Sequence, residues 1–593
     1  MVAIAVWLIA TPVAFVIPRV ADVDPFSERG VFIPLGAGGL LLVIMTAVAW
    51  WRGAGEQVLA TAAGLFAAWV ALAFKVAEYG SPFGPTGLQG DRVRVAAAAM
   101  KNTVQFWPSD PFIENQPAEY PPLFPWLVAK GAQLTGVQTW RLLAIGEILL
   151  LSFAVLITYL LWRRLVPAPV ALVLAASGLL IYGDPRKAFA VVTLFALVPW
   201  LISTFAEPAR GRLRWLPAGL IGGLIMLTYN GWFSFGALGI IAIIVAAWRR
   251  SADRAGYVRH VLLVAAVSLV VAAPYLIPWG WAVLTEPGQA VSDEYVTSGL
   301  TVNAFPFLKP TLLGAVELIG LAGLFWYRRR TVWAAPMLYL VLGSYAFWLV
   351  MGIRFVFSKH TTLFFYVPLL TGAALVAAGV LALAEVGPAL VRRFALTPPY
   401  RTGAAVVAAA LLWVGFSYWQ DWRPTLEEGV ATTNNTYSAW AHLEPLPDCR
   451  YPRFAPEAGR FACYPANRIK AEVEQVLGPG ARPHTLASDE RLFAYLPWPG
   501  YLGFDRTSAN TLTRWDDRQA ELTRLAQLTD PAEFARATAS TEFGPIDVFV
   551  LAQLDSENWA WGNTRFHPSQ FDPTIWTAVQ SLPNNLVVVI RQP

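Results

Sequence analysis

Asp91 is the carboxylate that this sequence offers for proton transfer. It stands in Gly90-Asp91-Arg92, early in a loop that runs from Glu78 to about Thr139 and follows a long apolar run. An acid at the edge of a membrane is expensive and usually functional. The glycines and prolines of Tyr79 to Gly90 break the preceding helix and let backbone approach a ligand closely. Asp91-Arg92-Val93-Arg94, followed by Val95 to Met100, then reads as a helix start. Asp91 is therefore either a cap on a surface helix or a general base. The loop's length, and its second half rich in proline and aromatic residues, favour function. That half holds Phe106-Trp107-Pro108 and Glu119-Tyr120-Pro121-Pro122-Leu123-Phe124-Pro125-Trp126. Such surfaces suit sugar rings and polyprenyl chains, and they also suit anchoring at the bilayer interface. Glu119 and Tyr120 are candidates to contact substrate.

A second set, Arg354-Phe355-Val356-Phe357-Ser358-Lys359-His360-Thr361, carries three cationic or potentially cationic side chains. An anion would explain them, because Lys and Arg grip phosphate through charge-assisted bonds. The N-terminus of a helix expected to start near 361 would add its dipole. Snorkelling at a helix end is the plain alternative. Arg92 either orients Asp91 or touches the same phosphate. Arg186 extends the cationic lining or pairs with Asp184. Tyr229, Asn230 and Trp232, at a tight hairpin, either meet a sugar or pack at the interface. Asp293 and Glu294 lie in a loop, 285–309, long enough to act as a lid. Trp498, Tyr501, Trp515, Trp559, Trp561 and Trp576 form a carbohydrate platform or a core. The chain has no GxxxxGK[ST], no His/Cys set with zinc spacing and no G-x-S-x-G, so neither a metal nor a cofactor is expected.

The elements that hold these residues are mostly membrane helices. Of 593 residues, 56% are hydrophobic and 14% charged, against roughly a quarter charged in soluble domains. Apolar runs of helix-spanning length predict thirteen spans, near 2–20, 31–51, 57–77, 139–161, 166–183, 188–206, 215–229, 231–248, 259–284, 310–327, 332–352, 361–385 and 402–419. The first lacks a basic n-region and a cleavage site and reads as a retained helix. Tyr120 to Gly136, with Pro121, Pro122, Pro125 and Lys130 in it and Pro117 just before it, is expected at the interface and not across the bilayer. With the N-terminus inside, sixteen Arg fall on cytoplasmic loops (52, 163, 164, 210, 212, 214, 249, 250, 254, 259, 328–330, 392, 393, 401) and seven Arg or Lys on short outer ones. That asymmetry sets the orientation. It also accounts for the net charge of +5 without nucleic acid.

Residues 1–419 are thus read as a transmembrane domain and 420–593 as an α+β domain on the outer side. Strands are expected at Ile546 to Leu551 and Leu586 to Ile590, and helices at Asp516 to Leu528 and Asp530 to Arg536. The chain's two cysteines, Cys449 and Cys463, both lie in this outer domain, where oxidation is permitted. A disulfide between them would contribute roughly 3 kcal/mol.

Taken together, the chain resembles a GT-C glycosyltransferase, and within that class the actinobacterial galactan 5-O-arabinofuranosyltransferases (the AftA family). The resemblance rests on Gly90-Asp91-Arg92 after two extra N-terminal spans, Glu119-Tyr120-Pro121-Pro122 and Ser358-Lys359-His360-Thr361. It rests also on Phe571-Asp572-Pro573 and Ile590-Arg591-Gln592-Pro593. It implies a decaprenylphosphoryl-arabinofuranose donor, a lipid-linked galactan acceptor attacked from its O5, and inversion at the anomeric carbon, in the plasma membrane. Asp91 would be the base, and Lys359, His360, Arg354 and Arg92 would stabilise the leaving phosphate. A flippase for a polyprenyl-linked sugar, a wall-polymer scaffold, and a GT-C transferase of another sugar such as mannose would share these features. A flippase needs polar residues at depth, where Glu147, Glu317 and Glu385 are the main ionisable ones.

Overall fold

The structure is a computed structural model and describes residues 1–53, 55–294, 304–394, 399–426 and 433–593. Part of the expected lid, 295–303, lies outside the described residues. Among the described residues ten helices are long and apolar enough to cross a membrane, including Val2–Ala21, Glu28–Arg52, Glu56–Ala77 and Thr139–Trp162. Three shorter apolar helices, Ala168–Tyr182, Trp215–Tyr229 and Leu312–Tyr327, fall at the other three expected spans. Unbroken apolar runs become helices because only a helix satisfies every backbone group internally in lipid. Ser27 and Thr311 start two of them, each accepting from a backbone N–H three residues on, as N-caps do. The helix Leu123–Thr135 has 13 residues. At about 1.5 Å per residue it is too short for a bilayer core of about 30 Å.

Contacts divide the chain into two compact units, each built from three segments. This differs from a single cut at 419. One unit comprises Met1–Tyr79, Gly146–Ala273 and Val296–Ser438, and the other Gly80–Ile145, Pro274–Tyr295 and Ala439–Pro593.

In the first unit the helix Ala188–Phe205 is buried along its whole length. Helix pairs approach at glycines, as in other membrane bundles. A Cβ on Gly343 would lie 2.1 Å from the backbone nitrogen of Gly239, and one on Gly379 would lie 2.2 Å from the carbonyl of Val316. Arginines assigned to the same side meet at one end of these helices. Arg163 donates to Glu56 at 2.6 Å, and Arg210 donates to the Arg163 carbonyl at 2.9 Å. At the other end of the helix that starts at Glu56, Tyr79 donates to Asp22.

In the second unit the C-terminal chain forms a six-stranded sheet in the order β4-β3-β2-β6-β5, with β1 beside β2. The strands are β1 (Thr485–Ala487), β2 (Val548–Gln553), β3 (Trp559–Trp561), β4 (Thr564–Phe566), β5 (Trp576–Leu582) and β6 (Leu586–Arg591). β1 pairs parallel with β2 in the register Leu486↔Phe549, and β6 pairs antiparallel with β2 at Val550↔Val588. The two predicted helices are Trp515–Ala526 and Pro531–Ala539. Phe534, Phe549, Phe566, Phe571 and Trp576 pack edge-on or tilted in the core. Tyr501, Trp559, Trp561 and Trp576 belong to this core, Trp515 packs against it, and Trp498 is buried as well, so these rings offer no open platform for sugar. Cys449 and Cys463 are disulfide-bonded, with Cα atoms 5.2 Å apart.

Candidate active site

Asp91 opens the helix Asp91–Lys101, and the N-cap position belongs to Gly90 (φ 59°, ψ −139°). Asp91 is thus next to the N-cap, as the helix start at this point leads one to expect, and lies inside the first turn, where a carboxylate suits the helix dipole. Its side chain is 55% exposed, and Oδ1 lies 3.7 Å from Nη1 of Arg94, one turn along. A helix thus presents the carboxylate to solvent with a cation beside it.

Arg92 does something else. It is buried, and Nη1 donates to the carbonyls of Gly84 at 2.5 Å and Gly87 at 2.8 Å. The expected phosphate contact is corrected: this guanidinium satisfies loop carbonyls that would otherwise lack partners. The loop is gripped from outside as well. Glu444, fully buried, accepts from Gln89 Nε2 at 2.8 Å and from Arg491 Nη1 at 3.0 Å. Gly87 sits at φ 63°, and a Cβ there would meet Glu444 at 2.7 Å. No other residue type fits both demands.

Arg94 was visible in the sequence but given no role there. Its guanidinium is shared with Glu490 at 3.3 Å and Asp505 at 3.1 Å. Burial pushes the Glu490 carboxyl above its ordinary range, and the charge of Arg94 opposes the shift.

Glu119 is likewise corrected. Its carboxylate accepts from the backbone N–H and the hydroxyl of Thr511. Burial raises its carboxyl and those hydrogen bonds oppose the rise. It ties the loop to the C-terminal chain. Tyr120 beside it is 43% exposed. Lys101 closes the middle of the loop, donating from Nζ to the carbonyls of Asp110 (2.8 Å) and Ile113 (2.5 Å). Burial pushes its ammonium down to about 8.

The other expected residues belong to the first unit. The helix Ala334–Ser358 runs six residues past its predicted end, so Arg354 sits on its last turns and Lys359 is its C-cap, in the left-handed region at φ 62°. The next α-helix begins only at Val367. The cations therefore sit at a helix C-terminus and not at the expected N-terminus, and positive charge is favoured there even without an anion. Arg354 donates to Thr362, and Arg354 and Lys359 are exposed with His360 half-buried. Thr362 (φ 48°) and Leu363 (φ 54°) are also left-handed. That is a costly conformation for a β-branched residue, of a kind that clusters at ligand sites.

Arg186 and Asp184 form a close internal pair at 2.6 Å, with the guanidinium 4.0 Å from the Tyr437 ring. Trp232 is fully buried and donates to the Ala190 carbonyl and to Thr193. Tyr229 is buried beside it. Both rings pack the bundle and are withdrawn from any sugar, while Asn230 between them is partly exposed. Among the described residues no group of three or more His, Cys, Asp or Glu is arranged to hold a metal.

The family model described as arabinofuranosyltransferase N terminal matches residues 1–416, and that described as arabinofuranosyltransferase A C terminal matches residues 451–579. A protein of Mycobacterium tuberculosis named galactan 5-O-arabinofuranosyltransferase is 26% identical over 86% of this chain and 79% of its own. Its namesake in Mycobacterium leprae is 25% identical over 87% and 83%. The crystal structure of ArnT from Cupriavidus metallidurans in the apo state superposes with a TM-score of 0.50 at 14% identity, covering 88% of this chain and 97% of that one. The likeness is one of fold.

Proposed function

The chain belongs to the arabinofuranosyltransferase family, and from that premise we propose that it transfers arabinofuranose from decaprenylphosphoryl-arabinofuranose to O5 of a galactofuranose in lipid-linked galactan, with inversion. The observation that carries the mechanism is Asp91, exposed on the first turn of its helix and steadied by Arg94. A single inverting displacement needs one base. Asp91 takes the proton of the acceptor hydroxyl while that oxygen attacks the anomeric carbon. The bond from that carbon to the phosphate oxygen breaks, and the lipid phosphate leaves with the electron pair. An anionic leaving group needs positive charge more than a proton, which is the role we give Lys359, His360 and Arg354. The strained turn at Thr362 and Leu363 supports that assignment. Tyr120 and Asn230 are the remaining substrate contacts on this reading. The protein works in the plasma membrane, with its N-terminus cytoplasmic and its C-terminal α+β domain outside.

Purified protein, labelled decaprenylphosphoryl-arabinofuranose and a galactan oligomer test this directly. A new glycosidic bond is expected, and lipid relocation without one would return the flippase reading. Asp91→Asn should lower kcat by about 10²–10⁴ with expression and donor binding kept. Wild-type turnover by that variant would remove Asp91 from the mechanism. Lys359→Ala should instead weaken donor binding about tenfold, roughly 1.4 kcal/mol. An unchanged donor affinity would end its phosphate role.

A further inference from the structure

Asp489, Glu490 and Arg491 are consecutive residues of the C-terminal chain, at the start of the helix Arg491–Tyr495. Each of them meets the Asp91 loop or a group that holds it. Glu490 accepts from Arg94 and also from the backbone N–H of Asp505 at 3.1 Å. Arg491, braced by Asp489 at 2.6 Å, holds Glu444, and Glu444 holds Gln89. The loop is thus fixed two residues before Asp91 and three residues after it, both times by a buried carboxylate. Such carboxylates are an expensive way to close an interface, since apolar residues of similar volume often do so at no loss of stability. Apolar contacts do not, however, fix the direction of a guanidinium, and hydrogen bonds do.

We propose that Glu490 is a positioning residue for Asp91, acting through Arg94, with Glu444 holding the other side of the loop. This rests on the reading of Asp91 as the base. The C-terminal domain then completes the catalytic centre. Among the described residues the charged groups that face Arg94 are Asp91, Glu490 and Asp505. Arg491 is committed to Glu444 and Asp489, and Nη1 of Arg92 is turned to the loop carbonyls.

The test is the pH dependence of kcat/KM for the full-length protein. Glu490→Gln leaves the charge of Arg94 less offset, so Asp91 ionises more readily. The acid limb should move to lower pH by about half a unit or more. Arg94→Gln removes the cation, so the limb should move to higher pH and kcat should fall. Glu490→Asp, which keeps the charge, should restore the wild-type limb. Where Glu490→Gln does not accumulate, Asp505→Asn should give the same downward shift. Opposite shifts from the two neutral variants are a signature that a merely loosened fold does not produce. Limbs that stay put, or move the same way, overturn the proposal. If Asp91→Asn is still active, the reading of Asp91 itself has failed. If Asp91→Asn is dead and the limbs are unmoved, only the positioning role has failed.

Discussion

Lys101 is a buried ammonium whose two carbonyl partners shape the loop behind the candidate base. Its folded value of about 8 lies below the ordinary 10.4 of an unfolded chain. The unfolded state therefore holds the proton more tightly. Below about pH 8 both states are charged and the burial penalty is present in full. Between about 8 and 10.4 only the folded state sheds its proton, so stability rises with pH, by at most about 3 kcal/mol. Thermal unfolding of the wild type should gain on Lys101→Met across that window, and parallel curves would contradict the assignment. At this scale the sequence is partly legible. Spacing separates Arg92 from Arg94, since residues three apart share a helix face and adjacent ones do not. Asp91 and Arg94 could therefore be paired from sequence alone. The carbonyls that claim Arg92 belong to a loop whose path has no local signature.

At the scale of elements, the helices were legible because apolar runs in lipid have one way to satisfy their backbone. Their ends were not. Ile353 to Ser358 holds one charge in six residues, and the long stem of Arg354 lets it remain helical. That extension turned an expected helix start into a helix end. The crossing points also escape sequence reading, since chance scatters glycine just as freely. Gly343→Leu must push its helix off the backbone of Gly239 and should cost about 2 kcal/mol or more. Gly387→Ala, with nothing within 4 Å of the added carbon, should be neutral or slightly stabilising. Thermal midpoints in detergent would compare the two, and equal midpoints would mean that the helices do not cross there.

For the whole molecule, the change in composition near 419 was plain, and two strands of the C-terminal core were legible, one from the pattern of Ile546 to Leu551 and one from the unbroken apolar run Leu586 to Ile590. What composition does not reveal is that residues 80–145 and 439–593 are parts of one compact unit. Pairing between distant segments leaves no mark on either one alone. A chain ended at Ser438 should still insert its helices, as cysteine labelling of the loops would show. It should make no glycosidic bond, since Gln89, Arg94 and Glu119 lose the groups that hold them. Transfer by the shortened chain would mean that the C-terminal domain is dispensable.

The same three-segment build sets a timetable for biosynthesis. Gln89 and Glu444 are separated by 355 positions, and translation proceeds at about 5–20 residues per second. The segment bearing Asp91 therefore emerges roughly 20–70 s before the partners that shield its apolar side chains. Throughout that wait the segment lacks its native partners, and exposed apolar surface of that kind is open to cleavage and to wrong associations. A point substitution in the last third of the chain can thus lower the yield of enzyme by prolonging that interval, even when the finished fold tolerates the change.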